Sequence, residues 1–401
     1  MMKKNLSKYI SILILFSLSN AAGQNLLPKI YSGDAQKIFT LRKAYLKGDK
    51  KYQAAVKYLE RQAEKLLDTE PYSVMAKDQL PPGGDKHDYM SMGKYWWPNP
   101  DTKDGLPYIR RDGEVNPESN GITDPLYIGR LISNVEVLSV AYYVTDNPKY
   151  SGKAAELLRV WFLNDDTRMN PNLKYAQSAK GKNEGTKSGI IDFHSIYRLV
   201  DAIGLLENSK EWSKEDDLRI RKWFDEYLTW LMTSKNGIDE SKSKNNHGSW
   251  YDVQKVSILL FLGKNDEAKE HLETYSKQRI DSQIMEDGKQ PEELARTNGM
   301  SYTQFNLKAL FSLAELGDKA GVDLWTYIGK NNGSIRKALD FFLPFALDPS
   351  RWEYKQISPY KSTDLYSILL ISQKKYDDKI YSGWRTKIFG DKAKITIENF
   401  L

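Results

Sequence analysis

Apolar residues recur at three- and four-residue intervals over most of the chain, the period of a helix with one buried face. Such stretches are "PLYIGRLISNVEVLSVAYYV" (125–144), "AAELLRVWFL" (154–163), "FHSIYRLVDAIGLLE" (193–207) and "DDLRIRKWFDEYLTWLM" (216–232). Further on come "WYDVQKVSILLFLG" (250–263), "YTQFNLKALFSLAELG" (302–317) and "IRKALDFFLPFAL" (335–347). Many stop at Gly or Asn or at a short polar link such as "GKND" (263–266), as antiparallel helix hairpins do. Strand-like alternation is scarce and no exact repeat occurs, yet helix pairs recur at the spacing of helical arrays. The pattern predicts an all-α fold, an (α/α) toroid rather than a helical solenoid.

Two segments break the period. Residues 70–122 are dense in Pro, Gly, Asp and Asn, and residues 165–194 form a second polar stretch. Loops this long within a domain are functional or disordered. Tyr95, Trp96, Trp97, Tyr108, Arg110 and Arg111 in the first, with Arg168, Tyr175 and Gln177 in the second, argue for walls of a site carried on a helical scaffold.

Residues 1–23 do not belong to that scaffold. A lysine-bearing start, an apolar run from Tyr9 to Leu18 and small residues before Gln24 predict a signal peptide, the run being too short to span a bilayer. The expected organisation is therefore signal peptide 1–23 and one domain over 24–401, exported to the periplasm or secreted as a monomer. Lys3, Lys4 and Lys8 carry three of the six net positive charges, so the mature chain is near +3. That is too little for nucleic acid by bulk attraction, though it suits an anionic polymer if the charge is gathered in one cleft. The absence of Cys removes disulfides, thiolate metal sites, Cys nucleophiles and a lipid-anchoring cysteine together.

The chemistry concentrates in two stretches. In "KSKNNHGSWYDVQ" (242–254) Asn246 stands where an N-cap is expected, with His247 in the first turn; capping does not account for the adjacent Asn245, the imidazole and Trp250. In "EELARTNGMSYTQFNLKAL" (292–310) Arg296 precedes Tyr302 by six residues across an Asn-Gly turn, which can set guanidinium beside phenol. An amide, an imidazole, a guanidinium and a phenol jointly suit β-elimination of a uronic acid polymer. Asn246 and His247 would neutralise the carboxylate beside the acidic C5–H so that charge can spread as an enolate. Tyr302, its pKa lowered from about 10 by Arg296, would take the proton and return it to the departing oxygen. No metal or cofactor is needed.

The blocks "YWWPNP", "GLPYIRRDG", "MNPNLKYAQ", "GIIDF", "NNHGSW" and "ELARTNGMSYTQFNL", between about residues 89 and 310, resemble the alginate lyase superfamily. The Asn-Asn-His and Asn-Pro-Asn-Leu blocks are similar to polysaccharide lyase family 5. The Arg-to-Tyr spacing and the "YWWPNP" loop are closer to family 38. The chain departs from family 5 in having "TNGMS" after Arg296. The resemblance implies an incomplete (α/α) toroid with a cleft or tunnel. It also implies Asn246 and His247 at the substrate carboxylate, Tyr302 as catalyst and Arg296 as its partner. Because C5–H and O4 lie on one side in β-D-mannuronate and β-D-glucuronate, one residue, Tyr302, could serve both steps. Polymannuronate blocks of alginate are then the expected substrate, with glucuronan next.

Around this centre Trp96 and Trp97 are expected to stack on sugars, with Trp250 and Asn245 beside them. Arg110, Arg111, Tyr175 and Gln177 would hold carboxylates or hydroxyls. His194 reads as a core histidine; His87 and His271 read as solvated. Two rivals remain open. A glycoside hydrolase needs paired carboxylates, for which Asp192, Asp252, Glu292 and Glu293 are available. A non-catalytic sugar-binding protein would use the same aromatics.

Overall fold

A computed structural model describes residues 27–362, 364–390 and 400. The expected signal peptide lies outside the described residues. The periodic stretches are helices, whose ends fall within a few residues of the apolar patterns. In chain order they are α1 (Ala35–Leu46), α2 (Lys50–Glu64), α3 (Asp124–Thr145), α4 (Pro148–Leu158), α5 (Ile196–Leu206) and α6 (Lys214–Thr233). There follow α7 (Lys235–Ser241), α8 (Asn246–Phe261), α9 (Asn265–His271), α10 (Lys277–Gln283) and α11 (Pro291–Leu294). The last are α12 (Gly299–Ala320), α13 (Ile335–Leu347), α14 (Leu365–Lys375) and α15 (Asp378–Phe389).

Every second long helix packs on the next of its kind: α3 on α5, α5 on α8, α8 on α12 and α12 on α14. Their partners α4, α6, α9, α13 and α15 lie outside. This alternation of inner and outer helices is an (α/α) toroid. The ring is incomplete, and an ion pair from Lys374 of α14, the last inner helix, to Asp34, the N-cap of α1, ties it to the first helix at 2.6 Å.

Local chemistry sets the ends. Ser213 and Asp216 form a reciprocal capping box on α6, and Ser334 caps α13. Helix α8 is covered on nearly all sides, so its polar residues need internal partners. Asp252 is fully buried and pairs with Arg279 and His271; Gln254 accepts from the Tyr227 hydroxyl and donates to the Ile190 carbonyl. His271 is therefore not solvated. The charged look of α9 hides an inward imidazole, 3.0 Å from the buried Asp252 carboxylate.

The two aperiodic segments are ordered and joined. Strand β1 (Met90–Met92) of the first pairs in parallel with β4 (Tyr175–Ser178) of the second, and β2 (Trp96–Trp97) pairs antiparallel with β3 (Ile109–Arg110). A small separate core of Met90, Met92, Tyr108, Ile122 and Tyr175 lies beneath them. The loops thus form one layer above the ends of the inner helices.

Candidate active site

Helices α8 and α12 begin side by side: the rings of Trp250 and Phe305, each in a second helical turn, lie 5.1 Å apart. At the start of α8 it is Asn245, not Asn246, that caps, accepting from the His247 N–H. Asn246 is the first helical residue and is buried. Its backbone N–H donates to Glu293 Oε1 at 2.6 Å and its Nδ2 to Oε2 at 2.7 Å. His247 Nδ1 lies 2.5 Å from Oε1 of Glu240, which is wholly buried. A carboxylate accepts, so Nδ1 carries the proton, and Nε2 of this partly exposed ring is left without that partner, free to donate or to accept. The turn needs Gly248: a Cβ there would stand 2.1 Å from the Ser243 carbonyl and 2.6 Å from Arg279.

The second stretch supplies guanidinium and phenol together. The Arg296 guanidinium carbon lies 3.8 Å from the centre of the Tyr302 ring, and its Nη2 and Nε donate to Asp112 at 2.7 and 3.1 Å. Asp112 also accepts from Arg110 and from Thr297 Oγ1 and N–H. Burial would raise its carboxyl, but Arg296 and Thr297 outweigh that and hold it at about 2. The Tyr302 hydroxyl lies 2.7 Å from that of Tyr95, which descends from the loop layer. Burial pushes the Tyr302 hydroxyl well above the ordinary phenol value; Arg296 opposes this, while Tyr95 and Asp112 reinforce it. The expectation that Arg296 lowers this pKa is corrected: its pull is real but smaller than desolvation, and Asp112 offsets the charge.

The two stretches meet at Glu293, which grips Asn246 and feels the charges of both Arg296 and His247. Asn246, His247 and Arg296 are thus linked through Glu293, Arg296 lies over the Tyr302 ring, and the loop layer places a second phenol, Tyr95, against the first. The profile described as alginate lyase matches residues 73–352, most of the chain. The chain belongs to the alginate lyase family. A crystal structure of an alginate lyase from Bacteroides ovatus shares 35% identity over 93% of this chain and 99% of that one, with a TM-score of 0.86. Alginate lyase A1-III from Sphingomonas species A1, in a variant complexed with tetrasaccharide, shares 18% identity over 80% of this chain and 85% of that one, with a TM-score of 0.50. The fold is thus the toroid of alginate lyases, and the family makes the chain a polysaccharide lyase. No match to a curated protein sequence was found.

Within this alginate lyase scaffold the remaining expected residues divide. Trp96 and Trp97 are half-buried at the rim, with Lys182 Nζ 4.5 Å from the Trp96 ring and the Arg111 guanidinium 5.4 Å from that of Trp97. Arg110 is exposed and turned to Asp112. Gln177 has φ 49°, a left-handed conformation costly for a side-chain residue, and donates to Asp192 at 2.9 Å. Tyr175 is buried with its hydroxyl accepting from Lys174, so it supports the loop layer. Trp250 is 1% exposed and packs against His194, Tyr197 and Phe305; it belongs to the core under the site rather than to a sugar-stacking wall. His194, held near 4 by burial, is a neutral imidazole bonded to the Ile191 carbonyl, as a core histidine should be.

Sequence reasoning missed Asp112, Glu240 and Lys182, saw in Tyr95 only a wall residue of the first loop, and saw in Glu293 only a possible hydrolase acid. Tyr95 and Asp112 stand inside the blocks "YWWPNP" and "YIRRDG", which was a usable signal. Among the described residues no group of three His, Asp or Glu is arranged to hold a metal, and no helix is long and apolar enough to cross a membrane. A cavity of about 670 Å³ opens between α1, α5, α12 and α14, but none of the four central side chains borders it.

Proposed function

We propose that this chain cleaves a 4-linked polyuronate, most simply the mannuronate blocks of alginate or glucuronan, by metal-independent β-elimination after export from the cytoplasm. The observation that carries this reading is the convergence of Asn246 and His247 with the Arg296–Tyr302 stack around Glu293. Asn246 and His247, at the positive end of α8, neutralise the carboxylate of the bound sugar. The C5–H then leaves to a base, the C4–O4 bond breaks, a C4=C5 double bond forms, and an acid protonates the departing oxygen.

With mannuronate or glucuronate Tyr302 performs both proton transfers. Its own proton must first depart, and the Tyr95 hydroxyl 2.7 Å away offers the route: Tyr302 passes a proton to Tyr95 as Tyr95 releases its own to solvent. A second reading has its own support. Burial favours the neutral Tyr302 phenol, which suits an acid, and Glu240 leaves His247 Nε2 able to act as base. Working from opposite faces of the ring, these two would cleave the C5 epimer, guluronate. The test is the purified protein on polymannuronate, polyguluronate and glucuronan with ultraviolet detection of unsaturated product. Absorbance growing on one or more supports the lyase reading. Reducing ends without absorbance would indicate a hydrolase, and binding without products a carbohydrate-binding protein.

A further inference from the structure

Glu293 is 1% exposed, and both its carboxyl oxygens are committed to Asn246. No described Lys or Arg reaches ion-pair distance of it, because the nearby Arg296 gives its guanidinium to Asp112. The site therefore keeps a buried acid directly behind the amide that, on the lyase reading, receives an anionic substrate. Two negative charges on either side of one amide are costly in a medium of low dielectric.

We infer that Glu293 is a positioning residue that takes up a proton as the polyuronate binds, so that both Nδ2 hydrogens of Asn246 become free for the substrate carboxylate. Ionised, Glu293 holds one of those hydrogens. As the neutral acid its O–H donates to Asn246 Oδ1 once the amide has turned over, while its other oxygen still accepts the Asn246 backbone N–H. The proton comes from solvent and no substrate bond changes. Burial already pushes this carboxyl to about 7, against the Asn246 hydrogen bonds and the charges of Arg296 and His247, so the proton is available near neutrality. The ionisable groups facing it are Arg296 from its own segment and His247 from α8. Behind these stand Glu240 of α7, Asp112 of the loop layer and Tyr302 of α12.

The inference rests on the lyase reading and is tested in a Tyr302→Phe background, so that the polymer is bound and not consumed. Calorimetric titration with a mannuronate oligosaccharide, repeated in buffers of different ionisation heat, counts protons taken up per site. The expected uptake is most of one proton at about pH 8, falling toward none near pH 5. It is retained in His247→Gln and lost in Glu293→Gln. A difference infrared spectrum of the Glu293-containing protein gives a parallel reading, with a protonated-carboxyl band growing on binding. Binding without uptake, uptake that survives Glu293→Gln, or no such band would overturn the inference. If neither this oligosaccharide nor those of guluronate and glucuronate bind, the lyase reading fails, and this inference with it.

Discussion

Asp112 makes a sharp test because it touches the reacting centre only through Arg296. Its carboxylate receives two hydrogen bonds from that guanidinium and two from Thr297. Replacing it with Asn keeps the shape and removes the charge. The native carboxyl is held at about 2 against an ordinary 3.8, a gap worth at most about 2.5 kcal/mol. Because the group faces solvent in part, screening reduces this to about 1 kcal/mol. A depressed carboxyl stabilises the fold above its unfolded value and loses that contribution as pH falls through the folded one. Urea unfolding should therefore show Asp112→Asn less stable at neutral pH, with the deficit closing between about pH 4 and pH 2. Activity should fall further than stability. With one strong hydrogen bond in place of a bidentate pair, the guanidinium loses its fixed seat 3.8 Å from the Tyr302 ring, and kcat on the preferred polymer should drop by about 10- to 100-fold with KM changed less. A variant that shows the stability deficit but keeps native kcat would refute the view that Arg296 must be held in place.

Tyr302→Phe should lower turnover by at least about 10³-fold while polymer binding persists, measured by ultraviolet assay and calorimetry together; full activity would remove Tyr302 from the chemistry. Glu240→Gln leaves the fold but unseats the imidazole 2.5 Å away, so kcat should fall roughly 10- to 100-fold; an unchanged kcat would deny that Glu240 seats His247 for the reaction. Lys182→Ala, at the Trp96 rim, should raise KM and flatten its salt dependence with kcat unaltered, and equal salt slopes for both proteins would exclude a substrate contact. Glu293, raised from 4.5 to about 7, favours the fold at low pH and loses that contribution as pH rises through 7; Glu293→Gln should thus gain up to about 3 kcal/mol relative to the native chain at about pH 8, and a constant difference from pH 5 to pH 8 would contradict it.

What the sequence disclosed was what periodicity and local spacing carry. The inner helices α3, α5, α8 and α12 were visible because each buries an apolar face, and the Arg296–Tyr302 stack was visible because six residues across a turn fix that geometry. What stayed hidden was tertiary. Strands of two to four residues, such as β1 and β4, show no alternation, so the joining of the two loops left no trace. Two adjacent asparagines give no means of telling the cap from the residue it precedes, and Asn245 took the role expected of Asn246. Glu240, Glu293 and Asp112 are three acids among 53, and only their burial beside Asn246, His247 and Arg296 singles them out. Burial also reversed three expectations: Trp250 fills the core, His271 faces the buried Asp252 rather than solvent, and the phenol of Tyr302 is harder to ionise, since desolvation exceeds what one guanidinium can offset.

The claim on which all else depends is that the bond to O4 is broken by loss of a ring proton and without entry of water. Digestion of the preferred polymer in ¹⁸O-labelled water, followed by mass spectrometry, addresses it directly. The account predicts products lighter than hydrolysis fragments by one water, with no label beyond what the reducing end of an undigested oligosaccharide exchanges in the same water, and no products at all from Tyr302→Phe. Products of full hydrolysis mass, labelled beyond that exchange, would contradict it.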